Sequence, residues 1–188
     1  RKPLATINDI GATFLGIFYV AFLPMHFILL RNLDPMPDTA FWAQPGVYYV
    51  LFTCSVIMVS DIGAYYFGKT LGKTALYPEV SPKKTREGAL GGFIAGVLVG
   101  AAFTINGYLP LMHGIILSIL LVTAAQLGDL SESLMKRDAG IKDSGVIFQG
   151  HGGLLDRLDS YLFCGALSYY YIHWVIHQQG MAQDILQL

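Results

Sequence analysis

Apolar runs long enough to cross a bilayer constrain this chain more than any other feature it has. About 20 helical residues span a hydrocarbon core of about 30 Å. Five such runs recur: Ile10 to Leu30, Val47 to Phe67 with Asp61 as its sole charge, Gly88 to Leu109, Leu111 to Gly128, and Leu158 to Ile176 with Asp159 near its start. A soluble protein would have to cover five such helices with polar surface. This chain lacks the material: of its 188 residues 54% are hydrophobic and 13% charged, against about 25% charged in an ordinary soluble domain. The pattern predicts an all-α integral membrane protein, a polytopic helical bundle of about five transmembrane helices forming one domain over residues 1–188. Because the chain opens on Arg1-Lys2 without a methionine, a further N-terminal part is expected ahead of it.

The polar connections are Arg31 to Gly46, Gly68 to Glu87 and Asp129 to Arg157. If the helices alternate in direction, the last two share a side with the N-terminus. That side then holds every Lys and Arg except Arg31, so the positive-inside rule makes it cytoplasmic. A net charge of −1 offers nothing global to nucleic acid. Cys54 and Cys164 lie inside apolar runs without metal-ligand spacing and read as small packing residues. Gly88, Gly92, Gly96 and Gly100 recur every four residues, which puts them on one helix face and lets a neighbouring backbone approach closely. Tyr169, Tyr170, Tyr171 and Trp174 are placed to anchor the last helix at the far interface.

Asp61 lies about two turns before the end of its run, where an unpaired carboxylate is expensive and calls for a cation. Asp129 ends the fourth run, and Asp156 and Asp159 open the fifth on one face. Four carboxylates at one membrane boundary suit magnesium, which keeps waters and completes its shell with substrate phosphates. Their spacing alone fits equally a set of structural pairs with Lys136, Arg137, Lys142 and Arg157. A transporter would place such acids near the midplane, not at one boundary. Gly63 to Thr70 has the letter of a phosphate loop, G-x-x-x-x-G-K-T. Its interior is bulky and aromatic and it finishes an apolar helix, so the backbone N–H groups cannot ring a phosphate, and Gly68 reads as the helix end. Asp129 to Arg137 is expected to form a short surface helix that stops near Gly140, followed by a glycine-bearing polar segment up to Gly153.

Those last residues carry a resemblance. Ser133-Leu-Met-Lys136-Arg137, then Lys142-Asp143-Ser-Gly145, then Phe148-Gln149-Gly150-His151-Gly152-Gly153-Leu-Leu-Asp156-Arg157-Leu-Asp159 resembles the signature of phosphatidate cytidylyltransferases, also called CDP-diacylglycerol synthases. Gln149 stands where bacterial members usually have proline. Ser60-Asp61-Ile-Gly63-Ala-Tyr65 and Ser81-Pro82-Lys83-Lys84-Thr85 are similar to two further blocks of that family, so the resemblance runs from about Val59 to Ser160 and covers the family's C-terminal portion.

The resemblance implies a nucleotidyltransferase that joins CTP to phosphatidic acid, giving CDP-diacylglycerol and pyrophosphate in phospholipid biosynthesis. It implies a multi-pass protein of the bacterial plasma membrane with its active site toward the cytoplasm. Partners are the two substrates and the bilayer, with a homodimer as a candidate assembly and no nucleic acid. Asp129 and Asp156 are the leading Mg2+ ligands, with Asp61 and Asp159 supporting them. Lys136, Arg137, Lys142 and Arg157 would hold phosphates. Ser81, Lys84 and Thr85 form a second phosphate-contacting strip, and Asp143, His151, Ser133, Gly152 and Gly153 complete the site. A membrane CTP-dependent kinase of polyprenols or phytol is the alternative, although it would lack the full block from Ser133 to Asp159.

Overall fold

The computed structural model describes residues 5–37, 39–141, 144–145 and 153–177, without the side chains of residues 82 and 106. Among the described residues four helical spans have the length and composition to cross a membrane: Ile7–Arg31, Pro45–Leu71, Arg86–Phe103 and Leu111–Asp138. A fifth helix, Leu155–Tyr170, continues as π-helix over Tyr171–Ile176. Each of the five apolar runs thus becomes a helix.

The first span comprises α1 (Ile7–Ile17), a π-helical stretch Phe18–Phe22 and α2 (Leu23–Arg31). A capping box starts it: Asp9 N donates to Thr6 Oγ1 at 3.3 Å, and Thr6 N donates to Asp9 Oδ2 at 2.7 Å. The π stretch falls just ahead of Pro24, which has no N–H to give the Val20 carbonyl and whose ring would crowd it. The wider turn absorbs that defect without ending the helix. The second span is α3 (Pro45–Leu71), opened by Pro45 at a position whose N–H would be unpaired in any case.

Between α3 and α4 (Arg86–Phe103) the chain makes an antiparallel hairpin, β1 (Ala75–Tyr77) with β2 (Ser81–Thr85). This is a small addition to the all-α expectation. Its base is tied twice to α4. Gly88 N donates to Thr85 Oγ1 at 3.1 Å, which caps the helix, and the Glu87 carboxylate accepts from Lys73 N and Thr74 N at 3.1 and 3.2 Å.

The four-residue glycine row does the packing expected of it. Gly88, Gly92, Gly96 and Gly100 are all buried. A Cβ on Gly92 would lie 2.6 Å from the Ser60 carbonyl oxygen and 2.9 Å from Ala64 Cβ, and one on Gly88 would lie 2.7 Å from the Ala64 carbonyl oxygen. On the facing helix, Gly63 is in the same position: its added Cβ would meet Ala95 Cβ at 2.8 Å. Two backbones lie this close only where side chains are missing.

Two expectations about helix ends are corrected. Gly68 does not stop α3, which runs on to Leu71. Gly68 is another close-approach residue, since a Cβ there would meet Thr85 Oγ1 at 3.1 Å. The segment from Asp129 is not a separate surface helix either. It is the last part of α5 (Leu111–Asp138), because nothing between Gly128 and Arg137 breaks a helix. The stop at Gly140 is where it was expected. Gly140 has φ +70, Gly140 N bonds the Arg137 carbonyl and Ile141 N bonds the Lys136 carbonyl, which is the Schellman arrangement.

Helix α6 (Leu155–Tyr170) packs against α2 and α5. Leu30, Phe52, Val56, Ile57, Leu121, Cys164 and Ile172 belong to one buried cluster, joined by a Thr53–Ser168 hydroxyl bond of 2.7 Å. The tyrosines of α6 serve helix contacts as well: Tyr170 Oη meets His26 Nε2 at 3.3 Å and Tyr171 Oη meets His113 Nδ1 at 3.0 Å, while Trp174 is exposed. Large apolar side chains such as Phe14, Leu98 and Met112 stand outward. Hydrocarbon accepts that surface and water does not.

Gly92→Ala is expected to lower bundle stability by about 1–3 kcal/mol, the usual cost of overpacking. Gly16→Ala, where an added Cβ meets nothing within 4 Å, should leave the melting temperature in detergent unchanged or slightly higher. Equal melting of the two variants would refute the close-approach reading of the glycine row.

Candidate active site

One end of the bundle collects the C-terminal halves of α3 and α5, the N-terminal turns of α4 and α6, and the hairpin. Between them lies a cavity of about 600 Å³ lined by residues of all five elements. Asp61 reaches it from α3, Ser81, Lys84 and Thr85 from the hairpin, Asp129 from α5, and Asp156 and Asp159 from α6. Lys69 and Lys83 add two more cations to its wall. Seven residues singled out from scattered sequence blocks therefore share one wall. Gln126 donates to the Ala89 carbonyl at 3.1 Å and ties α5 to α4 beside the cavity.

The four aspartates are not equivalent. Asp129 forms an ion pair with Lys84 and lines the same cavity as Asp159, whose carboxyl feels its charge. Two carboxyl groups that crowd a partly desolvated site repel unless a proton or a cation lies between them. Asp61 faces the same pair from α3. Asp156 has a different environment. Its Oδ1 accepts from Lys136 Nζ at 2.7 Å, and its Oδ2 accepts from Ser144 N and Ser144 Oγ, both at 2.9 Å, and from Gly153 N at 2.6 Å.

Lys136 has two acidic partners, since Glu132 Oε2 also lies 2.5 Å from its ammonium. Glu132 is 1% exposed. The sequence shows the one-turn spacing of Glu132 and Lys136 but carries no sign that the pair is buried, because the helix was read as lying on the surface. Arg137 and Arg157 are exposed, with Arg137 Nη1 bonded to the Ile141 carbonyl at 3.4 Å, and Ser133 is half-buried on α5. Gly153 is buried, and a Cβ there would lie 2.4 Å from Ser144 Oγ and 2.8 Å from Gly145 N. Only glycine lets the two ends of the α5–α6 connection meet at that point. Lys142, Asp143, His151 and Gly152 lie outside the described residues. Among those that are described, no group of three or more His, Cys, Asp or Glu side chains forms a ready metal cage.

A family model described as the cytidylyltransferase family matches residues 1–175. Curated relatives include proteins named phosphatidate cytidylyltransferase. The one from Synechocystis sp. is 42% identical over 191 residues, covering 92% of this chain and 65% of the relative. That from Bacillus subtilis is 39% identical over 171 residues, covering 90% and 60%. That from Staphylococcus haemolyticus is 47% identical over 168 residues, covering 86% and 58%. The chain thus spans 58–65% of the length of these relatives.

The two ion pairs at this end should respond differently to loss of the cation. Lys136→Met leaves Glu132 and Asp156 facing each other in a buried setting and is expected to cost about 3–5 kcal/mol, the range for stranding a buried charge. Lys84→Met acts on a pair whose side chains are 28% and 32% exposed, where screening keeps the loss to no more than about 1 kcal/mol. Thermal melting in detergent measures both, and a reversed order would contradict the burial described.

Proposed function

The chain belongs to the cytidylyltransferase family, and from that premise we propose that it forms the catalytic end of an enzyme that transfers the cytidylyl group of CTP to phosphatidic acid. The products are CDP-diacylglycerol and pyrophosphate. The observation that carries this reading is the convergence of Asp61, Asp129 and Asp159 with Lys69, Lys83 and Lys84 around one cavity at the end of a membrane bundle.

In the transfer a phosphate oxygen of the lipid forms a bond to the α-phosphorus of CTP, while the bond from that phosphorus to the bridging oxygen of the β-phosphate breaks. The electron pair leaves with pyrophosphate. The nucleophile is an anion at neutral pH, so no side chain needs to take its proton, and catalysis is positioning plus charge neutralisation. Lys69, Lys83 and Lys84 are placed along the wall to receive a triphosphate, with the Ser81 and Thr85 hydroxyls beside them. An incoming phosphate competes with Asp129 for Lys84. The diacyl chains stay in the bilayer around the bundle, which brings the lipid phosphate to the membrane boundary where the cavity lies.

The donor set fits a hard divalent cation. Asp129, Asp159 and Asp61 line one cavity, and magnesium is content with one or two carboxylates when waters and phosphates complete its shell. We assign Asp129 and Asp159 as its holders with Asp61 in support, and Asp156 to fixing the α5–α6 connection. Bound there, the ion would neutralise charge on the nucleotide phosphates.

The cavity end is proposed to face the cytoplasm, where CTP resides, in the plasma membrane of a bacterium. Lys69, Lys73, Lys83, Lys84, Arg86, Lys136, Arg137 and Arg157 gather at that end, and Arg31 closes α2 at the other. The kinase alternative is not favoured, because the named relatives are phosphatidate cytidylyltransferases.

Incubating the full-length protein in detergent with labelled CTP, phosphatidic acid and magnesium should yield labelled CDP-diacylglycerol, with activity lost on chelation and no nucleotide left on the denatured protein. A phosphorylated lipid with free CDP would instead indicate a kinase. Asp159→Asn should reduce turnover by more than about 100-fold, beyond the loss typical of an outer partner, while the protein still folds. For orientation, a single cysteine at Lys83 in a background without Cys54 and Cys164 should react with an impermeant thiol reagent only from the cytoplasm, and one at Asn32 only from outside.

A further inference from the structure

The buried Glu132 has no part in the transfer described above, and its setting gives it one. It sits on α5 with 1% exposure, and neither of its oxygens has an aligned hydrogen-bond donor among the described residues. Its compensation is the ion pair with Lys136, at 2.5 Å. Tyr19, Leu23 and Leu162 form an apolar cluster joined by Met135 and Leu155, the chain neighbours of Lys136 and Asp156. A carboxylate held in such a place attracts an ammonium strongly, since the buried acid is cut off from water.

Lys136 passes that constraint outward. Its Nζ also donates to Asp156 Oδ1 at 2.7 Å. The other oxygen of Asp156 gathers Ser144 N, Ser144 Oγ and Gly153 N within 2.9 Å. Ser144 and Gly153 are the two sides of the connection between α5 and α6, close enough that a Cβ on Gly153 would collide with Ser144 Oγ. A continuous chain of bonds therefore runs from the body of α5 through Glu132, Lys136 and Asp156 to both sides of that connection, beside the cavity lined by Asp156 and Asp159.

We propose that Glu132 is a positioning residue: through Lys136 and Asp156 it fixes Ser144 and Gly153 at the edge of the cavity. Its effect on turnover rests on the cytidylyl-transfer reading, whereas its effect on Ser144 and Gly153 does not. Without Glu132, the Lys136 ammonium keeps one acidic partner and gains freedom along its own stem, and Asp156 loses the fixed cation that sets its rotamer.

The test uses the full-length enzyme in detergent and reads two quantities. In Glu132→Gln the Ser144 and Gly153 amides should exchange with deuterium faster by about tenfold or more, while core amides such as Phe52 and Val56 on α3 keep their protection. In the same variant kcat/KM for CTP should fall roughly 10- to 100-fold, as when a group that orients a working residue is lost. Glu132→Asp, which keeps the charge one methylene further back, should lie between the two, and it decides the matter on the same readouts if the Gln variant does not fold. Unchanged exchange at Ser144 and Gly153 overturns the proposal. So does a loss of protection spread evenly into the core, which marks a merely structural residue, and so does loosened exchange with parental turnover. If the parental enzyme transfers no cytidylyl group, the functional reading fails, and the proposal is then upheld or overturned by the two amides alone.

Discussion

Backbone-to-backbone contact between α3 and α4 is the constraint on which the rest of this structure depends. Gly88 and Gly92 on α4 and Gly63 on α3 remove the side chains that would hold the helices apart, while Gly96 and Gly100 also let α4 approach Val122 and Ser118 of α5. In hydrocarbon no hydrophobic force drives such a pair together, so dispersion over the close surface and the weak bonds it permits must do so. The consequence for the site is geometric. With Gly88 pressed on Ala64 and Gly68, the hairpin that joins the two helices lies at their shared end, tied to α4 by Thr85 and Glu87. Lys84 and Thr85 are thereby delivered to the cavity that Asp61 lines. A packing device in the apolar layer sets the position of charges outside it.

Those charges also explain why the cavity end is specified so tightly. Lys136 is shared by two carboxylates and Asp156 is saturated by four donors, so both are fixed by bonds that would be costly to leave unmade. Asp129 and Asp159 are the opposite case, since they crowd one cavity and the Lys84 ammonium that pairs with Asp129 is only partly buried. A saturated carboxylate holds the frame, and a crowded pair that repels is what draws a cation or a phosphate-bound ion. Both kinds of acid stand on the same helix, three residues apart.

Much of this was legible in the sequence, and each success traces to a simple physical rule. Apolar run length located all five helices, and the glycine spacing identified the packing face. The three blocks around Asp61, Lys84 and Asp156 were expected to converge, and they share one cavity. What was not legible is instructive for the opposite reason. The end of α3 was misplaced because Gly68 reads as a helix end when it is a close-approach residue, and that of α5 because the charge of Asp129 closes the apolar run while the helix continues; Gly128 too admits a neighbour, since a Cβ there would meet the Asp159 carbonyl at 2.6 Å. Local sequence cannot distinguish a glycine that ends a helix from one that admits a neighbour. The hairpin was missed because Ser81 to Thr85 has no alternating apolar pattern, and its order comes from Glu87 and Thr85 at the base of α4.

Glu132 went unassigned for a further reason, which concerns how charge is distributed in such a chain. An acid and a base one turn apart on a helix usually mark a solvated face, and composition offers no means to tell a solvated pair from a buried one. The distinction is made by a third group from elsewhere in the fold. Here that group is Asp156, which lies 20 residues from Lys136 in sequence and converts a local pair into a three-centre cluster with one surplus negative charge. Surplus charge in a buried place is unstable unless further donors relieve it, and the relief comes from Ser144 and Gly153 at the edge of the cavity. The same excess of acid that destabilises the interior is thus what orders the connection at its surface. Neutralising it from within α5 would weaken the hold that Asp156 keeps on Ser144 and Gly153.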